Sequence, residues 1–472
     1  MQIHKVATQR VSVDLGRQRT VSGNYVDVIT GPNGCGKTEV LEALLQYATG
    51  TSLEPPDQPR LWPRVSASSK PDKIVVQTFS PFARFEAPRV NRTSLTEKYS
   101  EDEVQHDKYV CVGLHKASRA VGAGLSRKVL EEALFRLSEN SQSADTLFSV
   151  LRKLDFQTRL SLGYVPKRGF ARAFRTEDGN GFLHEYLAGL KNDGMHRPGD
   201  AALRREIKQD NSGAFKELLH HSVEVVRRSP RGENRHIVLD VSLEDVRRDF
   251  HKVQAFALLR RLDLLNLAVC ELQSHESKPI DVSKTSSGQQ QMLCAVFGLA
   301  TAVTSNSLVL LDEPELSLHP EWQLKFVDAL FEVMKSVRDC HVLVATHSPM
   351  VVQRAVHYNA DVIQMGQGAR RIDFSSVLSS NSTVSVEQAL IEVFHTPIAD
   401  SAHVSNEVFQ AVVQGETGNQ NDRFIALQRL AQLQSVYSNA NDSRTAQLVR
   451  DAIYLLNLPD TPPSGRPTDH IV

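Results

Sequence analysis

The sequence predicts an α/β fold, a mixed sheet with flanking helices, carrying a mainly helical insertion and ending in a helical C-terminal region. Three observations carry this. Near the start, YVDVITGPNGCGKTEVLEALL runs from a β-branched strand through a Gly-rich loop into an apolar-periodic helix. Far downstream, SLVLLDEPE and CHVLVATHSP are apolar strands that end in acidic and histidine residues. Between and after these runs lie stretches with an apolar period near 3.6 residues. At 472 residues the chain is long for one core. The expected division is 1–95 and 270–375 for two halves of one head, 96–269 for a helical insertion, and 376–472 for a helical partner-docking region.

The first element is the most specific. Gly31, Pro32, Asn33, Gly34, Cys35, Gly36, Lys37 and Thr38 match G-x-x-x-x-G-K-[ST], with the strand before and the helix after that the motif requires. The glycines let backbone N–H groups close around phosphate oxygens. Lys37 is placed to reach the outer phosphates and the Thr38 hydroxyl to ligate Mg²⁺, while the helix N-terminus adds its positive end. These residues predict a nucleotide site for ATP with Mg²⁺.

The downstream strands complete it. Asp312, at the tip of an apolar strand, suits the Walker B role of holding Mg²⁺. Glu313, next to it, is placed to act as general base on the attacking water. His347, closing the run before Ser-Pro, suits a γ-phosphate sensor. Gln77, at the end of DKIVVQ, resembles the Q-loop glutamine of nucleotide-binding cassettes, and the resemblance implies a contact with Mg²⁺ and the attacking water that reports nucleotide state.

Between these lies SKTSSGQQQMLC, too polar for a core strand. The order P-loop, long gap, Ser-Ser-Gly-Gln, Walker B and histidine switch resembles the ATP-binding cassette (ABC) superfamily. There the signature motif usually reads Leu-Ser-Gly-Gly-Gln; here Thr285, Ser286, Ser287, Gly288 and Gln289 occupy it, so the first Leu and first Gly are replaced. The resemblance implies that Ser286, Ser287, Gly288 and Gln289 form an anion clamp at a helix N-terminus that closes on the ATP of another subunit. That makes the expected assembly a homo-oligomer built from head-to-tail dimers. His319 stands where many cassettes carry an aspartate, which departs from the usual contact across the dimer.

The wording DEPELSLHPEWQ and ATHSPMVVQ resembles the soluble branch that includes RecF, the structural-maintenance-of-chromosomes (SMC) ATPases and the OLD nucleases. Within it, the helical insertion, the SPFARF segment and the helical tail look most like the PtuA ATPases of Septu and of retrons that pair an ATPase with an HNH nuclease. The resemblance implies an anti-phage ATPase that scaffolds a separate nuclease, HNH (PtuB-like) first and toprim second, with a retron reverse transcriptase and its RNA–DNA as a further partner. The AriA ATPase of PARIS, holding a toprim effector, and a RecF-type repair ATPase acting on DNA are the alternatives. No D-x-D occurs in the chain, which argues against a toprim module of its own.

The insertion has helical candidates in SRKVLEEALFRLSEN and SLEDVRRDFHKVQAFALLRRLDLLNLAVCELQ. The second places Val246, Phe250, Val253, Phe256 and Leu259 near helical spacing. From Arg152 to Arg175, seven basic residues face one acid, with Phe156, Tyr164, Phe170 and Phe174 interleaved. That pattern predicts either a solvated face or a DNA contact. RRSPRGENRH (227–236) reads as an exposed basic loop.

The tail differs. No lysine follows Lys335, and from Asp373 onward eleven acids face five arginines. SVEQALIEVFH and RFIALQRLAQLQSVYSNA read as amphipathic helices, and LPDTPPSGRPTDHIV as a flexible end. Formal net charge is -1, so no overall basic field attracts nucleic acid. The five cysteines form no C-x-x-C pair and suggest a reducing compartment. No apolar run approaches the roughly 18 residues that span a bilayer, and the start lacks a signal-peptide pattern. The expectation is a cytoplasmic protein with no membrane contact.

Overall fold

A computed structural model describes residues 1–50, 63–80, 85, 108–113, 123–173, 179–191, 207, 210, 212–232, 236–242, 247–274, 279–366, 368–374, 384–438 and 444–458. The strands in chain order are β1 (Ile3–Ala7), β2 (Ser12–Asp14), β3 (Tyr25–Thr30), β4 (Arg64–Ala67), β5 (Lys73–Thr78), β6 (Tyr109–Gly113), β7 (Phe156–Pro166), β8 (Ile237–Ser242), β9 (Leu265–Ser274), β10 (Ile280–Asp281), β11 (Ser307–Asp312), β12 (His341–Ala345), β13 (Asp361–Met365) and β14 (Ala369–Ile372). The helices are α1 (Lys37–Thr49), α2 (Ala123–Glu139), α3 (Ser141–Lys153), α4 (Arg168–Ala173), α5 (Gly179–Lys191), α6 (Ala214–Arg228), α7 (Phe250–Arg261), α8 (Ser287–Ala302), α9 (Pro320–Lys335), α10 (Pro349–His357), α11 (Val386–Glu392), α12 (Ala402–Thr417), α13 (Gln420–Val436) and α14 (Arg444–Asn457).

The three predicted strands meet in a seven-stranded sheet ordered β14-β13-β3-β12-β11-β5-β6. Neighbours from β13 through β6 run parallel. Parallel strands are covered on both faces, so they read as continuous apolar runs: β3, β11 and β12 are buried at every position. On one face Ile29, Ile74, Val76, Leu308, Leu310 and Leu343 pack with Val40, Leu41 and Leu44 of α1. On the other lies α8, buried continuously from Met292 to Ala302. A helix apolar all round belongs inside a core. Its Gly298 lets β6 approach, since a Cβ there would sit 2.2 Å from Val112 Cγ1.

A buried side-chain hydrogen bond braces the head. His341 and Asp27 are fully buried, with Nε2 and Oδ2 2.7 Å apart. His341 Nδ1 accepts the Ile3 N–H, so Nε2 carries the proton and donates to Asp27. The first strand is thereby tied to the middle of the sheet.

Two smaller sheets complete the first unit, Met1–Arg371. One is antiparallel, ordered β2-β1-β4. The other is antiparallel, ordered β10-β9-β7-β8, and falls largely within the expected insertion. The insertion is mainly helical, and it also holds this sheet. Two expectations are corrected here. β6, also inside 96–269, is a strand of the main sheet, so the first half of the head extends past residue 95. The stretch from Ser242 to Gln273 is not one long helix: α7 stops at Arg261, Asp263 takes φ 59°, and β9 begins at Leu265. Leu265, Leu267, Cys270 and Leu272 are buried while Asn266 is exposed, the alternation of a half-buried strand. Val246 lies outside the described residues.

The basic run also resolves differently from its sequence pattern. Arg159 pairs with Asp240 at 2.9 Å and Lys167 with Asp263. Tyr164 and Phe170 are buried, so they fill the core and offer no surface for stacking a base. Phe174 and Arg175 lie outside the described residues, as do 233–235 of the basic loop, 81–84 of SPFARF and the end from 459.

The second unit is Ile372–Val472. Val404, Val408, Leu430, Leu433, Val449 and Leu456 of α12, α13 and α14 share one core. Asn419 and Asp422 form a capping box at the start of α13. Arg429 is held between Glu392, at 3.0 Å, and Glu407.

Candidate nucleotide site

The site gathers where parallel strands end, the edge at which α/β sheets bind ligands. β3 leads into the P-loop, β11 into Asp312 and β12 into His347, with β12 lying between the other two. Gly31 takes φ 146°, and a Cβ there would fall 2.2 Å from the Met365 carbonyl oxygen, so only glycine fits. Gly36 caps α1 in the left-handed region without any side-chain hydrogen bond, leaving first-turn N–H groups for an anion. Pro32, Asn33, Gly34 and Cys35 make the turn, with the Cys35 N–H donating to the Pro32 carbonyl at 3.3 Å.

Lys37 folds back over this loop. Its Nζ donates to the carbonyls of Gly31 (2.9 Å) and Pro32 (3.2 Å) and lies 3.8 Å from Cys35 Sγ. Burial lowers its pKa, against the attraction of Cys35 and Glu313. Thr38 Oγ1 donates to Asp312 Oδ1 at 3.3 Å, across 274 residues of chain. Burial, then the neighbouring Glu313, push the Asp312 carboxyl up to about 6. An acid crowded by another acid and a hydroxyl is a hard-oxygen donor set, and Mg²⁺ fits it.

Glu313 adopts φ 47°, its N–H donates to the Ala345 carbonyl at 2.9 Å, and its Oε1 stands 3.7 Å from His347 Nε2. Burial and the nearby Lys37 lower the pKa of His347, so its ring is neutral at neutral pH. Lys37, Thr38, Asp312, Glu313 and His347 therefore form one cluster. Gln77 does not join it. It pairs in register with Leu311, one residue short of Asp312, and successive strand side chains alternate faces. The pleat sends it toward the face opposite α1, fully buried, with neither amide atom hydrogen-bonded. Gln77, expected to ligate Mg²⁺, thus stands apart from this cluster in the structure.

The polar stretch that leads into the first turns of α8 has a local explanation for each glutamine. Ser286 and Gln289 form a capping box. Gln290 Nε2 donates to the carbonyls of Ser283 and Thr285 at 3.0 Å each, and its Oε1 accepts from Ser126. Gln291 Nε2 donates to the Leu316 carbonyl at 2.5 Å. Gly288 lies against the loop after Glu313, where a Cβ would meet Ser317 O at 2.8 Å. Ser286 and Ser287 are exposed, and the hydrogen bonds they make do not reach the P-loop of their own chain. His319 is the exposed N-cap of α9.

Residues 129–353 match the family described as "AAA domain, putative AbiEii toxin, Type IV TA system". The match takes in the Ser-Ser-Gly-Gln stretch, Asp312, Glu313 and His347, and starts after the P-loop. The chain has an α/β P-loop fold, a largely parallel sheet with helices on both faces and the phosphate-binding loop between β3 and α1. Over 70 residues the chain is 39% identical to protein ea59 of Escherichia phage lambda, a match spanning 15% of this chain and 13% of that protein. Among solved structures, the SMC head with an extended coiled coil bound to the C-terminal domain of ScpA, from Pyrococcus furiosus, aligns at 10% identity and a TM-score of 0.31, covering 81% of this chain and 98% of that one. A nucleotide-free ATP-binding cassette from an ABC transporter aligns at 12% identity and a TM-score of 0.27, covering 82% and 99%. No helix among the described residues is long and apolar enough to cross a membrane.

The motif reading passed over Glu315, Gln323 and Ser348. Glu315 Oε1 accepts the His347 N–H at 2.7 Å, while Ser348 Oγ donates to Gln323 Oε1 at 2.5 Å. The one signal for Glu315 was a second acid two residues past Glu313.

Proposed function

We propose that the head binds ATP with Mg²⁺ and hydrolyses it, working as a head-to-tail pair. The observation that carries this is the meeting of Thr38 with Asp312 beneath a P-loop whose lysine lies over the loop. Thr38 and Asp312 would hold Mg²⁺, which supplies charge neutralisation at phosphate oxygens when bound. Lys37 leaves its two carbonyl partners for the outer phosphates. Glu313 accepts the proton of the attacking water, and neutral His347 stands beside it to contact the terminal phosphate. Ser286, Ser287 and Gly288, exposed or half-exposed at an N-terminus, serve the site of a second copy.

At the finer level, the head controls a separate effector, a nuclease of HNH type before toprim, in phage defence. The toxin–antitoxin wording of the matched family and the phage relative are in keeping with that setting. The acidic helical unit, where Phe409, Phe424 and Tyr454 are 68%, 64% and 70% exposed, supports it as the docking end.

The test is fluorescent-ATP binding with phosphate release. Lys37→Ala abolishes binding, whereas Glu313→Gln keeps binding and loses turnover. Full turnover by Glu313→Gln would remove it as the base. Co-purification with a nuclease encoded beside this chain tests the finer reading, and a chain that arrives alone overturns it.

A further inference from the structure

β11 and β12 pair in parallel as far as Asp312 opposite Ala345. The Glu313 N–H still donates to the Ala345 carbonyl, and continuing the ladder would have the His347 N–H donate to the Glu313 carbonyl. That carbonyl is turned away from the ladder. Glu313 turns into the left-handed region at φ 47°, and its oxygen accepts the Leu316 N–H at 3.1 Å. The His347 N–H is therefore left without its backbone partner at the edge where the chemistry is placed. The Glu315 carboxylate supplies one at 2.7 Å. On the far side of the strand the Thr346 N–H donates to Ile29 O at 3.1 Å, so the segment is held from both flanks. Glu315 Oε2 is buried with no hydrogen-bond partner. A carboxylate kept in such surroundings is costly unless it holds something in place.

We infer that Glu315 is a positioning residue, which replaces the missing rung of the β11–β12 ladder and thereby sets the His347 ring against Glu313. The assignment rests on the ATPase reading for its consequence, not for its geometry. Glu315 touches none of the reacting groups. It acts through the backbone of His347, whose Nε2 stands 3.7 Å from Glu313 Oε1. Ser348 and Gln323 close the same turn one residue on, and Gln323 Nε2 donates to the Leu318 carbonyl at 3.0 Å. The turn after β12 is thus tied to the loop after β11 at both of its ends.

The test compares Glu315→Ala with Glu315→Gln in the full-length protein, by ATP turnover and by the His347 ring resonance in ¹³C-histidine-labelled protein, assigned with His347→Gln. Glu315→Gln keeps an acceptor for the N–H; Glu315→Ala does not. In Glu315→Ala the ring resonance moves and kcat falls about tenfold to a hundredfold, the loss of one well-placed hydrogen bond to a group at the reacting centre, with KM little changed. Glu315→Gln restores both within about threefold. A purely structural role would lower the unfolding midpoint and scale turnover with the folded fraction, leaving kcat per folded molecule intact, and that outcome overturns the inference. An unmoved ring resonance in Glu315→Ala overturns it whatever the turnover. If the wild-type protein shows no turnover that Glu313→Gln abolishes, yet the ring moves in Glu315→Ala, the ATPase reading falls and the positioning role stands.

Discussion

Asp312→Asn separates what the site needs from what the fold prefers. The Asp312 carboxyl has its pKa raised from the ordinary 3.8 to about 6, first by burial and then by Glu313. Its charged form is therefore disfavoured in the folded protein. The penalty is complete above about pH 6 and gone below about pH 3.8, so this group makes stability fall as pH rises through that window. At about 1.4 kcal/mol per factor of ten in proton affinity, the rise corresponds to about 3 kcal/mol. Asparagine can still accept the Thr38 hydrogen bond and carries no charge. In EDTA and without nucleotide, Asp312→Asn is expected to be more stable than wild type at pH 8 by up to about 3 kcal/mol. The gap should close by about pH 4. Urea unfolding followed by tryptophan fluorescence measures it, with Trp322 near the start of α9. With ATP and Mg²⁺ the order reverses, because the wild type alone gains a ligand that binds the folded state. Equal stability at pH 8, or a gap that persists unchanged at pH 4, would refute the argument that the carboxylate is held there against its own preference.

Three further outcomes are expected. Gly298→Ala destabilises the head by about 1–3 kcal/mol through the clash with Val112, outweighing the roughly 0.5–1 kcal/mol that alanine gains inside a helix; adding Val112→Ala recovers part of the loss in the same urea titration. Cys270, Cys294 and Cys340 are buried and burial raises their thiols, to about 12 for Cys294 and about 11 for Cys340, so native alkylation followed by mass spectrometry labels none of the three until the chain unfolds. Ser287→Arg leaves fluorescent-ATP binding by the monomer intact but removes ATP-dependent dimers on size-exclusion chromatography; dimers that persist would show that the exposed start of α8 does not face a second copy.

The nucleotide site was legible where its information is local. A P-loop needs one strand, one turn and one helix start, and Gly31 through Thr38 are consecutive, so residue type and order reveal it. The apolar runs of β3, β11 and β12 announced a parallel sheet because strands covered on both faces have no polar alternation to hide behind. Asp312 and Glu313 were readable for the same reason, each sitting at the end of such a run. What contact across the sheet decides was not readable. Gln77 closes an apolar strand as a ligand would, but its register with Leu311 sends it to the opposite face, and register is a property of the pair. Leu265 to Leu272 continue a helical spacing on paper, yet the left-handed Asp263 and the ladder offered by β7 make them a strand. Tyr164 and Phe170 look like a base-stacking series in sequence, but the tertiary structure buries them as core. Glu315 had no motif to mark it, because its role comes from a carbonyl that Glu313 turns away. Short-range chemistry is written in neighbouring residues; which face a side chain takes, and which hydrogen bond is left for it to fill, is settled only when distant strands pair.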